Sequence, residues 1–336
     1  MNIRRVTEQD HNELVEFNQK TFPRRNAIEE SLQYRFSKNP FYNREEEKSL
    51  LAIEHETIIG QLLMMPSSFK YRDALHTAYW GMDYIVTSDQ RGGAAGMLLC
   101  KKALKEKYHF GIGLSKLSLP ICLAFNEQIV GAMNKYIKIH RPLTFLDIFN
   151  KKSSIHQNTF PQYIEIGRYR FERIFNPDKI ESNNGYWNTD EQLEFSRNQN
   201  FLNWRFFQEP QKYYVYHLED SETPYSSYFV VRQKFWKKRK CLLLVDYRVG
   251  DLSHFDLILK ATSKISKLNK FSATITGGSM ETLQSTLKRN LFFRFGEKME
   301  IVTNYSEIFS ESKTSRPIMV TFADSDCEHY YGDQKW

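Results

Sequence analysis

No stretch of this chain approaches the ~18 consecutive apolar residues of a membrane-spanning helix, and the start, Met1-Asn-Ile-Arg-Arg-Val6, has no apolar signal core. Cysteine is scarce. Cys100, Cys122, Cys241 and Cys327 lie far apart, which argues against a disulfide framework and supplies no metal-ligand spacing. No metal is therefore expected, and a reducing, cytoplasmic setting is. The pattern G-x-S-x-G is missing and Cys122 has no convincing base in sequence, so nothing signals an acyl-enzyme. The net charge is +7, yet there is no RNA-binding aromatic signature, no Cys/His finger and no uninterrupted basic tract. Nucleic acid is not the expected partner. The densest basic cluster, Lys237-Lys-Arg-Lys240, stands between two apolar runs and reads as a hairpin turn.

What is present is ample material for cores. The chain has 336 residues, with 25 Phe and 19 Tyr, enough for two domains of roughly 100–200 residues each. Strand-like runs alternate with helix-like ones. Ile3–Val6, Ser49–Glu54, Thr57–Met64, Tyr79–Val86 and Phe110–Ser115 read as strands. A segment with Leu14, Val15, Phe17 and Phe22 on one face reads as a helix, as do 94–107 and Asn126–Lys138. Residues 151–160 are polar and aperiodic and read as a linker. The expected organisation is a first domain over 1–150 and a second over 161–336, with a polar tail after Ala323.

The run Val86-Thr-Ser-Asp-Gln-Arg-Gly-Gly-Ala-Ala-Gly-Met97 carries the chemistry. A strand feeds a small-residue turn that opens a helix. Backbone N–H groups in such a turn point at an anion, and the helix start adds about half a positive charge. Arg91 stands at its mouth. A phosphate or pyrophosphate is the expected guest; the plainer alternative is a tightly packed glycine turn.

A repeat sharpens this. Leu32-Gln-Tyr-Arg-Phe-Ser-Lys-Asn-Pro40 matches Leu202-Asn-Trp-Arg-Phe-Phe-Gln-Glu-Pro210, and Met82-Asp-Tyr-Ile-Val86 matches Val245-Asp-Tyr-Arg-Val249 in the same order. After Val249 the chain enters a helix directly, without the arginine and the glycine cluster. The halves look alike in scaffold, and only the first is expected to hold phosphate.

At these residues the sequence resembles the GNAT (Gcn5-related) N-acyltransferase superfamily. That family's phosphate loop follows its fourth strand as Arg/Gln-x-x-Gly-x-Gly/Ala, and Arg91-Gly-Gly-Ala-Ala-Gly96 fits it with Ala94 at the first glycine position. Asn126-Glu-Gln-Ile-Val-Gly-Ala-Met133 looks like the family's fourth-helix pattern, with Met133 where the family often carries a general-acid tyrosine and Tyr136 three residues on. The resemblance implies an α/β fold with a mixed (α+β) sheet, in two tandem GNAT-like domains, the second degenerate and shaping the acceptor cleft. It implies acetyl-CoA or another acyl-CoA as cosubstrate. Tyr84, Ile85 and Val86 would pair with pantetheine as a strand does. Arg91, Gly92, Gly93, Ala94, Ala95, Gly96 and Met97 would cradle the pyrophosphate, with Asn126 also at the cofactor. Asp83 and Tyr136 are the catalytic candidates.

The implied activity is direct transfer of an acyl group to a small-molecule amine, with an amino sugar or nucleotide sugar of surface-polysaccharide synthesis as leading acceptor. Two alternatives stay open: a FemABX-like aminoacyl transferase, and a non-catalytic acyl-CoA-binding scaffold. Plainer readings also stand beside single residues. Asp246 repeats Asp83 in the half without the loop, which favours a structural carboxylate. Arg35 and Arg205, also repeated, read as staples. Lys101 and Lys102 could approach a 3′-phosphate or be a solvated face. His76, Tyr79 and Trp80 could line a cleft or be core.

Overall fold

The computed structural model describes residues 1–23, 25, 27–71, 74–142, 159–180, 193–208, 212–218, 226–237, 239–305 and 318–325. The chain forms two compact units that are not its contiguous halves. One comprises Met1–Ala132 and Met299–Arg316, the other Met133–Lys298 and Pro317–Trp336.

In the first unit, β1 (Asn2–Arg5), β2 (Leu50–Glu54), β3 (Thr57–Tyr71) and β4 (Ala74–Val86) form an antiparallel run. The β2–β3 turn is His55-Glu56, both at positive φ (47° and 63°), as a two-residue hairpin turn with the right twist demands. The helices α1 (His11–Thr21) and α2 (Ile28–Arg35) bring Leu14, Phe17, Ile28 and Leu32 onto Leu51, Ile58 and Leu63 of one sheet face. On the other face, α3 (Ala94–Ala103) packs Ala95, Leu99 and Ala103 against Leu50, Ala52, Leu62, Met64 and Tyr79. β5 (His109–Ile112) runs parallel to β4, and the strand Met299–Thr303 pairs antiparallel with it. A short α4 (Ser118–Ala124) follows β5.

Ahead of α1, Asp10 closes a charged cap. It accepts from both Arg4 Nη atoms (2.6 and 2.5 Å) and from Thr7 N and Oγ1. The Arg4 bonds, against the opposing cost of burial, hold its pKa near about 2, below the ordinary 3.8. A depressed carboxylate stabilises the fold above its unfolded pKa and loses that contribution as pH falls through the folded one. Asp10→Ala is therefore expected to remove about 1 to 2 kcal/mol at pH 7, after screening at the exposed Arg4. It should also flatten the fall in urea midpoint between roughly pH 4 and pH 2.

β6 (Gln128–Ile139) occupies the region expected as a second helix. Val130, Met133 and Ile137 recur with helix-like spacing, but residues 134–139 find antiparallel partners in the strand Ala273–Gly278, 134 to 144 positions downstream, which local spacing cannot show. The helix lies earlier. Ser115 Oγ accepts from Leu117 N and Ser118 N, and Pro120 sits in the first turn.

The second unit has its own strand ladder and helices. After β7 (Tyr163–Ile166), β8 (Tyr169–Ile174), β9 (Leu193–Phe195) and α5 (Gln199–Leu202), the ladder continues through β10 (Tyr214–Leu218), β11 (Ser227–Trp236) and β12 (Arg239–Arg248). Lys237, at φ 48°, lies in the β11–β12 turn, as the basic cluster was read. Then α6 (Ser253–Leu268) leads to β13 (Ala273–Gly278), parallel to β12, and on to α7 (Gln284–Arg289) and β14 (Phe293–Arg294). Met299–Thr303 is β15, given to the first unit, and β16 (Ile318–Met319) pairs with β9. Thus β13 is flanked by residues of β6 from the first half of the sequence, and β5 by β15 from the second.

Of the expected linker 151–160, only 159 and 160 are described, and Phe160 is core, stacked on Tyr214. Asp324 and Ser325, the start of the polar tail expected after Ala323, are buried. Cys327 lies outside the described residues; Cys100, Cys122 and Cys241 are buried free thiols. Among the described residues no helix is long and apolar enough to cross a membrane.

Candidate acyl-CoA site

β4 and β5 part company. Their parallel pairing runs Tyr79↔His109, Trp80↔Phe110, Gly81↔Gly111, while β4 continues five residues further, to Val86. A bulge starts the divergence. Gln61 pairs with Ile85 and Leu63 with Met82, so two β4 residues, Asp83 and Tyr84, face the single Leu62. Asp83 takes the strain at φ 47°. Tyr84, Ile85 and Val86 are half-buried. Beyond them, Arg91, Gly92, Gly93 and Ala94 are exposed, Ala95 is buried beneath and Met97 is exposed. Gly92 needs its glycine, at φ 83° with open space around it.

The turn delivers a bare helix start. Gly93 is the N-cap of α3, with no side-chain hydrogen bond to the helix N–H groups. Tyr84 locks the turn to the strand by donating its hydroxyl to Gly96 O at 2.7 Å, and a Cβ on Gly96 would stand 3.2 Å from that oxygen. Burial raises the Tyr84 pKa, so it stays a donor. Lys102 is not available to a phosphate here, because its ammonium donates to Ile3 O at 2.5 Å.

The second unit shows the same splay closed. Parallel pairing ends at Leu244↔Thr276 while β12 runs to Arg248, and the β11/β12 register shifts beside Asp246. Here every residue from Val245 to Val249 is buried. Residues 318–325, all buried, pack against this opening. Thr321 Oγ1 donates to Asp246 at 2.6 Å, Ser279 N donates to Val320 O, and Phe322 lies where a Cβ on Gly277 would fall. At the start of α6, Asp251 accepts from Ser253 N and Oγ at 2.8 and 2.5 Å. Those two bonds depress its pKa, so the position an anion would take already holds a carboxylate.

Asp83, a catalytic candidate, is instead an anchor. Its side chain is 4% exposed and accepts from Arg25 at 2.8 and 2.7 Å and from Arg35 at 3.1 Å. Burial pushes its pKa up, but the Arg35 charge and the Arg25 bonds overcome that and hold it below the usual range. A carboxylate shared by two guanidiniums is a poor proton acceptor. Arg205, the counterpart of Arg35, donates to Ala323 O and to Tyr213 OH. Both repeated arginines are staples.

The fourth-helix match is corrected too. Asn126 lies after α4 at φ 70°, exposed, in a left-handed turn that ends the helix. Tyr136 lies on β6 in the second unit, buried, opposite Thr276 and Arg294. The two do not share a helix. Tyr79 and Trp80 are core, and His76 stacks on Phe69 against Tyr108. Sequence reasoning passed over His109 and Glu127, 18 positions apart, which meet at 2.6 Å inside the first unit. Among the described residues no His/Cys/Asp/Glu group has the makings of a metal site.

No family model matches the sequence, and no curated protein matches it. Solved structures do match the fold. A GCN5-related N-acetyltransferase from Anabaena variabilis aligns over 89% of this chain and 72% of its own, at TM-score 0.58 and 10% identity. A conserved protein of unknown function from Enterococcus faecalis, described as a probable N-acyltransferase, aligns over 92% and 73% at TM-score 0.60 and 12% identity. Saccharomyces cerevisiae N-myristoyltransferase, solved with bound myristoyl-CoA and inhibitors, aligns over 90% and 80% at TM-score 0.55 and 9% identity. At such identities the likeness is one of fold. The fold is that of the GCN5-related N-acetyltransferases, with a mixed α/β sheet, as the phosphate-loop resemblance implied.

Proposed function

We infer that this protein is an N-acyltransferase whose first unit binds an acyl-CoA and passes the acyl group directly to an amine. One observation carries the reading: the splayed, half-exposed end of β4 leads into the uncapped start of α3. Strand backbone left unpaired on one side suits the amides of pantetheine. Exposed N–H groups with Arg91 beside them suit the pyrophosphate. Arg91, Gly92, Gly93, Ala94, Ala95, Gly96 and Met97 form the cradle, and Tyr84 holds it to the strand. Acyl-CoA supplies the activated thioester; the chain binds it, orients it and manages protons.

The closed second splay supports a degenerate second unit, so one molecule of CoA should bind per chain. Calorimetry with CoA tests this, and two equivalent sites would overturn it. Arg91→Ala removes one charge-assisted contact of roughly 1.5 kcal/mol. CoA affinity should fall about tenfold at low salt, with a shallower salt dependence than the parent protein. Our leading acceptor is an amino sugar, free or nucleotide-linked, encountered in the cytoplasm. Thiol release from acetyl-CoA against amino sugars and polyamines tests the activity, and CoA binding without turnover on any amine would favour a scaffold.

A further inference from the structure

Two buried polar atoms of the first unit stand without a hydrogen-bond partner beside each other's side chains: His109 Nε2 and Glu127 Oε2. The His109 side chain is 6% exposed and that of Glu127 fully buried, and they are joined through Nδ1 and Oε1 at 2.6 Å. In the neutral ring tautomer that donates Nδ1–H to Glu127, the free lone pair is on Nε2. The backbone fixes the ring as well, since His109 N donates to Asn304 Oδ1 and His109 O accepts from Thr303 Oγ1. Cys122 of α4 lies beside Glu127, and Cys100 of α3 is 3.7 Å from Cys122. The Cys100 contact and burial raise the Cys122 pKa, so it faces the pair as a neutral thiol.

The location gives the pair its meaning. A Cβ on Gly81 would fall 2.6 Å from His109 Nε2, so the ring edge rests directly on that backbone. Gly81 is the last β4 residue paired with β5, so the buried ring edge lies against the final paired rung, next to the point where the strands part. From Gly81 to Val86 the strand advances about 16 Å at ~3.3 Å per residue, a span that an extended pantetheine arm covers. With the pyrophosphate on α3, the thioester belongs where the strands part.

We propose that His109, oriented by Glu127, is the proton carrier of acyl transfer in the first unit. This rests on the acyl-CoA reading of the splay. The amine nitrogen attacks the thioester carbonyl; the new C–N bond forms as the C–S bond breaks. The proton leaving nitrogen passes to Nε2, and the imidazolium returns it to the departing sulfur. The products are an amide and the CoA thiol, and His109 is regenerated neutral. His109 is a catalytic residue in this scheme and Glu127 a positioning residue. A neutral base with an orienting carboxylate is the arrangement such proton transfer requires.

The test follows the imidazole nitrogens of the ¹⁵N-labelled full chain by NMR during titration with CoA, alongside calorimetry. CoA should move the His109 Nε2 resonance. Glu127→Gln should shift the tautomer signature of the ring, with Glu127→Asp restoring it. His109→Asn should cut kcat roughly 100-fold or more on an amine that the parent protein acylates, with CoA affinity within about twofold. CoA binding that leaves Nε2 unmoved, or a His109→Asn protein with full kcat, overturns the proposal and leaves the acyl-CoA site standing. Failure of the parent protein to bind CoA at all overturns both.

Discussion

Ala94→Glu is expected to abolish CoA binding while making the empty protein slightly more stable. Ala94 is the first residue of α3 and is exposed. A carboxylate there complements the helix dipole by about 0.3–1 kcal/mol. The same carboxylate lies where the pyrophosphate would rest. Two unit charges about 5 Å apart at an effective dielectric near 20 repel by about 3 kcal/mol, which is more than 100-fold in affinity. Opposite signs for stability and binding separate an anion site from a turn that merely packs. Gly96→Glu should lose binding as well, but at a cost in stability, because its Cβ crowds the Tyr84 hydroxyl 3.2 Å away. Thermal melts and calorimetry on both variants read the two effects independently. An Ala94→Glu protein that binds CoA like its parent would remove the pyrophosphate from α3.

The strand–turn–helix run was legible because its parts are local. Strand, small-residue turn and helix follow one another between Met82 and Ala103, and each is marked by residues whose backbone preference is strong. The repeat was legible for a related reason: the bulge at Asp83 and the register shift at Asp246 each sit beside a buried carboxylate that arginines hold, and that grouping leaves an Asp-Tyr signature in both halves. The opening and closing of the two splays were only half visible. The missing glycines after Val249 could be seen, but not that Asp251 accepts from Ser253 at the start of α6 or that 318–325 fills the second opening.

What escaped depends on partners far away in sequence. Residues 126–138 carry a helix-like spacing, and the strand β6 exists because β13 supplies its ladder. No local window contains that information. The units interleave in sequence for the same reason, with Met299–Thr303 completing β5. His109 stands one residue before the strand expected from Phe110, and Glu127 falls inside the helix expected over Asn126–Lys138, so nothing in the sequence pairs them. Only the turn after α4 brings the carboxylate back to β5. The true start of α4 did have a local mark, Ser115 and Ser118 ahead of Pro120.

The two buried carboxylates, Asp83 in its bulge and Asp246 beside the other register shift, should separate structural from catalytic roles in one experiment. Asp246 has no exposed side-chain surface and holds Arg197 at 2.9 and 3.2 Å and Arg248 at 3.0 Å, with Tyr228 and Thr321 donating to it. Burial opposes its ionisation, and the charges of Arg197 and Arg248 outweigh that, so its pKa is strongly depressed. Asp246→Asn leaves two buried guanidiniums short of charge, though Asp324 still holds Arg197 and Glu194 still holds Arg248. Breaking such a pair costs about 3–5 kcal/mol, a large part of a typical domain's stability of roughly 5–15 kcal/mol. Asp83→Asn should cost less, about 2 kcal/mol, because Arg25 keeps contact with water, which screens the charge left unpaired. Urea unfolding measures both. Neither change should move the pH profile of acyl transfer, since neither carboxylate accepts the acceptor's proton. The opposite pattern for Asp83→Asn, with stability unchanged and kcat down 100-fold or so, would return Asp83 to the chemistry.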